Sequence, residues 1–350
     1  MIFLLLIPLI GLAIMPPIGV GLSLDPLLST YLFVLTAMAA VCLLFVKVNP
    51  IIKIIAMGGL VNVFLSQDPF FSWMAYASLI ACCYFYVACT RVKDWKPVFR
   101  AVQALVFLEL AFLMAQHFHH DALFNTSIKA NIWGTIGNKM QFSSFCLMLT
   151  SFLLPFCTVN LFFPFVVYWF THSVWVIFCG VVGLFVYLWG ESKVIAWLVL
   201  IAGLSAFLAF GGVAKIKTNI PCYRIPIWIK TVQVSADHPL IGYGIGTYKT
   251  IFPVLEGEKL IHNSEPFCNA HNAFVQMLFE AGDFGLAIML AVLGYLFVRI
   301  YKAKDFLLLA GFCMLIANLL VYFPDRNTST CLLLVGFLAL CEMKIKKEIV

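Results

Sequence analysis

The sequence predicts an all-α protein, a polytopic bundle of membrane helices, and three observations carry that reading. Hydrophobic residues make up 63% of the 350 residues, charged residues 11%, and the mean hydropathy is +1.02, far from the mix of a water-soluble domain. Apolar runs long enough to cross hydrocarbon recur along the chain, and lipid admits only backbones that satisfy their own hydrogen bonds. Lys and Arg gather in alternate loops, as the positive-inside rule requires.

About twelve such runs are found by the length criterion, beginning near Ile2, Pro26, Ile51, Phe70, Val98, Phe142, Leu161, Ser173, Val194, Phe274, Phe306 and Thr330. The stretch from Leu161 to Leu188 needs a turn near Thr171-His172, which leaves one short and one normal span. Ten or eleven spans are the alternatives. Met1 to Pro8 has no charged leading region, so the first run reads as a retained anchor. With both termini inside, the inner loops take Lys47 and Lys53, then Arg91, Lys93, Lys96 and Arg100, then Lys193, then Arg299, Lys302 and Lys304, and the tail Lys344, Lys346 and Lys347. The short outer loops hold Lys129, Lys139 and Arg326. Residues 1–350 read as one membrane domain, with a long extracytoplasmic loop over 211–270 that contains short helices.

The net charge of +6 follows from this topology rather than from a basic, aromatic-interleaved patch, so nucleic acid is excluded as a partner. Ten of the twelve cysteines sit in or beside apolar runs, where thiols are inert. Cys222 and Cys268 share the outer loop, where a disulfide is chemically allowed. His117, His119, His120 and Asp121 cluster without a recognised ligand spacing, and His262, Cys268 and His271 lack a fourth partner, so neither set is assigned a metal.

Chemistry concentrates in the long loop. Tyr223 to Ala236 reads as an interfacial helix with Pro226 in its first turn, placing Arg224, Trp228 and Thr231 on one face. An Arg fork matches phosphate oxygens; an Arg snorkelling to headgroups beside an anchoring Trp is the simpler alternative. Gly242, Gly244 and Gly246 alternate with Tyr243 and Ile245, a tight turn whose backbone can approach a sugar or phosphate closely. After His271, Asn272, Gln276 and Glu280 form a polar stripe on a helix that enters the bundle with a wet side. A neutral imidazole there is ready to accept a hydroxyl proton, though a histidine that merely caps the loop gives the same sequence. Gly282 and Gly285 allow close helix packing.

Three blocks in order, Arg224-x-x-x-Trp228, then Pro239-Leu240-x-Gly242-x-Gly244-x-Gly246, then His271-Asn272 with nine residues before Gly282-x-x-Gly285, resemble the O-antigen ligase and polymerase superfamily; Gly134 to Asn138 adds a weaker similarity. The resemblance implies a metal-independent glycosyltransferase of the bacterial inner membrane, without cofactor; a monomer is expected. Its donor is a glycan on undecaprenyl diphosphate, and its acceptor a hydroxyl of lipid A core, of a second glycan or of a protein. His271 is then the general base and Arg224 the diphosphate ligand, with Trp228, Gly242, Gly244, Gly246, Asn272, Gln276 and Glu280 lining the substrate. The family's second Arg, which follows a Ser, is absent from Thr171-His172-Ser173-Val174-Trp175, and Lys139, His172 or Lys215 is the expected substitute. Glu109, an acidic residue in mid-span, supports the competing class, a lipid-linked glycan flippase.

Overall fold

The computed structural model describes residues 36, 39, 41–43, 48–117, 139–171, 173–209, 224–256, 261, 262, 265, 266, 269–322 and 328–347. Within them the chain forms α1 (Pro50–Phe64), α2 (Pro69–Cys89), α3 (Lys96–His117), α4 (Lys139–Leu153), α5 (Phe163–Thr171), α6 (Val174–Glu191) and α7 (Lys193–Ala209). In the loop lie α8 (Arg224–Ser235), α9 (Tyr248–Glu256) and a two-residue antiparallel pair, β1 (Ile261–His262) and β2 (Glu265–Pro266). Helices α10 (Ala273–Ala303), α11 (Phe306–Val321) and α12 (Thr328–Lys347) complete it.

From Ile51 onward, each expected start falls within about three residues of an observed helix start, a normal boundary scatter. The runs beginning near Ile2 and Pro26 lie almost wholly outside the described residues. Local chemistry sets several starts: the Asn49 side chain accepts from the Ile51 amide and Asp68 from Phe71, each followed by a proline at the first helical position. Helices α2 and α10 are long and apolar enough to cross a membrane, and α1, α4, α6, α7 and α11 contribute shorter apolar segments. The expected short span is shorter still. Helix α5 has nine residues, about 13 Å of rise against about 30 Å of hydrocarbon. Two 3-10 turns, Leu154–Phe156 and Thr158–Phe162, precede it, with Cys157 extended between them.

The described chain falls into two compact units. The first comprises Met1–Arg91, Ile225–Ala270 and Phe274–Val292. There α1 packs on α2 through Gly59, where an added Cβ would meet Leu79 and Tyr76 at 2.9–3.0 Å, and the Tyr76 hydroxyl donates to the Ala56 carbonyl at 2.9 Å. A second core gathers Ile227, Val234, Tyr243, Tyr248, Phe252 and Phe279, with Tyr243 stacked on Phe279 at 4.6 Å.

This unit also holds a departure from the expected continuous helix. Helix α10 is broken at Gly282, whose φ of 64° and ψ of −167° are not helical. The groups freed by the break are paired with the glycine segment: Asp283 and Phe284 donate to the carbonyls of Pro239 and Leu240, while Tyr243 and Gly244 donate to those of Phe279 and Glu280. Buried backbone groups need such partners, so the two glycine motifs make one structural joint. An added Cβ at Gly282 would lie 2.4–2.5 Å from the Leu240 and Ile241 backbone.

The second unit comprises Val92–Arg224, His271–Ala273 and Leu293–Val350. Helices α6 and α11 run antiparallel in close contact: Ser173 meets Tyr322, Gly183 meets Met314 and Gly190 meets Phe306. Helix α4 also opposes α11, through Ser144 with Asn318 and Ser151 with Gly311. At one end, Lys344 bridges Asp305 at 3.0 Å and donates to the Pro155 carbonyl, near where Trp95 and Phe99 pack on Phe152 and Phe156. At the other end lie Ser173, Tyr322 and Arg224.

Candidate functional site

Arg224, the first residue of α8, and His271, two residues before α10, fall in the second unit although 47 positions separate them in the chain. Arg224 is buried; its Nη1 donates to the Val321 carbonyl at 2.9 Å and its Cζ lies 5.4 Å from the centre of the Trp175 ring. The guanidinium is thus seated by the last residue of α11 on one side and the first turn of α6 on another. The aromatic face offers a cation favourable electrostatics at little desolvation cost. Burial lowers the proton affinity of Arg224, which still leaves an arginine charged.

His271 has a φ of 54°, the left-handed region in which histidine is enriched but still uncommon. Its proton affinity is depressed to about 4, first because burial penalises the imidazolium and second because the Arg224 charge repels it. The imidazole is therefore neutral across the physiological range. A neutral ring beside a fixed cation can take a proton from a hydroxyl while the cation holds an anion.

In the first unit, the expected substrate-lining residues turn inward. Gln276 and Glu280 are buried, so the polar stripe on α10 does not face water, which corrects the wet-side expectation. Gln276 Nε2 donates to Glu280 Oε1 at 2.9 Å, the Gly246 amide donates to Glu280 Oε2 at 2.8 Å, and the Ala270 amide donates to Gln276 Oε1 at 3.3 Å. The close approach allowed by the loop glycines is likewise to protein. An added Cβ would strike the backbone at Phe279 and Glu280 from Gly242, Ser66 and Ser72 from Gly244, and Ala75 from Gly246. All three have positive φ, of 73°, 118° and 79°, so their glycine identity follows from the joint. Trp228 donates from Nε1 to the Ala270 carbonyl at 2.7 Å, fixing the residue just before His271. Asn272 is buried beside His271 in sequence.

Lys139 opens α4. His172, Lys215, Cys222, Cys268, His119, His120, Asp121 and the Gly134 to Asn138 stretch lie outside the described residues. Sequence reasoning passed over Asn62, whose Nδ2 donates to the carbonyls of Ile241 and Glu280 and whose Oδ1 accepts from Ile245. A lone amide in the apolar run of α1 was the available signal. It also passed over Tyr322.

A family model described as O-antigen ligase matches residues 140–290. This match supports membership in the O-antigen ligase superfamily. The matched stretch runs from the second residue of α4 into α10 and contains Ser173, Trp175, Arg224 and His271. Val321 and Tyr322, the α11 contribution to the arginine seat, lie beyond the O-antigen ligase match. Among curated proteins none matches the chain significantly.

Proposed function

We propose that this chain is a membrane glycosyltransferase that moves a glycan from undecaprenyl diphosphate to an acceptor hydroxyl on the non-cytoplasmic face. The observation that carries the reading is the pair itself: a buried guanidinium whose charge bears on a half-buried, neutral imidazole within one unit. Diphosphate is the leaving group that a seated arginine suits, and a neutral imidazole is the base that an alcohol nucleophile requires. His271 takes the proton from the acceptor hydroxyl, the oxygen bonds to the anomeric carbon, and the bond from that carbon to the phosphate oxygen breaks. The electron pair leaves with undecaprenyl diphosphate beside Arg224, and the anomeric centre inverts. Lys344 at the opposite end of the same unit from Arg224 supports an extracytoplasmic reaction, since basic tails stay inside.

The test is glycan transfer from an undecaprenyl-diphosphate-linked donor in proteoliposomes. Arg224→Ala and His271→Gln are each expected to lower the rate at least a hundredfold while the proteins remain folded, in line with the loss of a charged transition-state contact or of a general base. Wild-type rates in either variant refute the assignment. Unmodified carrier lipid crossing the bilayer, with no glycan joined to an acceptor, establishes a flippase instead. Glycolipid and glycoprotein profiles of a deletion strain identify the acceptor, with lipid A core expected.

A further inference from the structure

Arg224 depends on two supports from different helices. The Val321 carbonyl comes from the end of α11 and the Trp175 ring from the start of α6. Both reach the guanidinium only if those helix ends keep their separation, and a side-chain bond spans them directly: Ser173 Oγ to the Tyr322 hydroxyl at 2.6 Å. Ser173 occupies the N-cap of α6, where a serine hydroxyl ordinarily accepts from an amide of the first turn, yet here it makes no cap bond. The hydroxyl is used between helices instead. Tyr322 is buried at the C-cap of α11, extended, with its amide tied to the Asn318 carbonyl.

We propose that Tyr322 is a positioning residue for Arg224: through Ser173 it locks the ends of α6 and α11 at the spacing at which the Val321 carbonyl and the Trp175 ring together seat the guanidinium. The proposal rests on the reading of Arg224 as the diphosphate ligand. The Tyr322 hydroxyl is enclosed by protein and bonded to Ser173.

Binding of undecaprenyl diphosphate to the purified full-length chain in detergent tests it. Tyr322→Phe and Ser173→Ala should each weaken affinity about fivefold, the value of one hydrogen bond, and Arg224→Ala about a hundredfold or more. Ser173→Thr, which keeps the hydroxyl, should bind as wild type does. The deciding comparison is the double variant: Tyr322→Phe placed on Arg224→Ala should cost nothing further, because there is no guanidinium left to position. Full additivity of the two, wild-type affinity in both Tyr322→Phe and Ser173→Ala, or no rescue by Ser173→Thr overturns the proposal while leaving Arg224 as ligand. Wild-type affinity in Arg224→Ala refutes the ligand reading instead and takes the proposal with it.

Discussion

The proton affinity of His271 gives the sharpest handle on mechanism. An exposed histidine titrates near 6.5; His271 is held to about 4 by burial and then by Arg224. That gap disfavours the imidazolium by about 3 kcal/mol. If this ring is the base, the acidic limb of kcat/KM, which reports the free enzyme, lies near pH 4 and not near 6.5. Removing the Arg224 charge with Arg224→Met should raise the limb, though not to 6.5, because the larger cause, burial, remains. The limb of kcat, which reports the loaded enzyme, should lie above that of kcat/KM in the wild type, since a bound diphosphate offsets the arginine charge and stabilises the protonated ring. On the proposed reading, substrate arrival would make His271 a stronger base at the moment one is required. The assay is glycan transfer across pH 3.5–8 with saturating and with dilute donor, fitted separately. A single limb at 6.5, unmoved by Arg224→Met, refutes the reasoning, because it would place the titrating group in water and away from Arg224.

The same shift fixes a sign for stability. Above pH 6.5 the ring is neutral folded and unfolded and contributes nothing; as pH falls from 6.5 to about 4 only the unfolded chain gains the proton, so up to about 3 kcal/mol is lost. His271→Asn, tolerated at positive φ, should flatten that part of a melting-temperature profile in detergent, and an unchanged slope would contradict the burial. Gly282→Ala should destabilise by at least about 2 kcal/mol, combining a left-handed alanine with the clash against Leu240, and a wild-type melt would mean that α10 is continuous. Glu280→Gln replaces one of two accepting oxygens with a donor and leaves either the Gly246 amide or Gln276 unmet, costing about 1–3 kcal/mol by the same melt. Asn62→Leu strips three bonds from the glycine joint and should cost about 3 kcal/mol or more, whereas a neutral result would show that the joint closes without it.

Apolar length alone located the helices, because each helix satisfies its own backbone and needs no distant partner to be recognised. The break at Gly282 was not legible, since the apolar rhythm of α10 continues through it and the compensating carbonyls belong to Pro239 and Leu240, some forty residues earlier. Arg224 and His271 were legible as candidates in recognisable blocks, and the structure brings both into one unit. What seats Arg224 was not, because a main-chain carbonyl such as that of Val321 has no sequence signature and Trp175 reads as an ordinary interface aromatic. Gln276 and Glu280 misled because periodicity reports that a face is polar without reporting what it meets. In this fold it meets the Gly246 and Ala270 amides.

The interruption of α10 has a bearing on depth. Counted from Asp283, the remaining helix is about 20 residues, about 30 Å of rise, which by itself satisfies the thickness of a hydrocarbon slab. The two turns ahead of Gly282 are then surplus to crossing. On the proposed reading they lie among the lipid headgroups, the zone in which a polyprenyl carrier keeps its pyrophosphate.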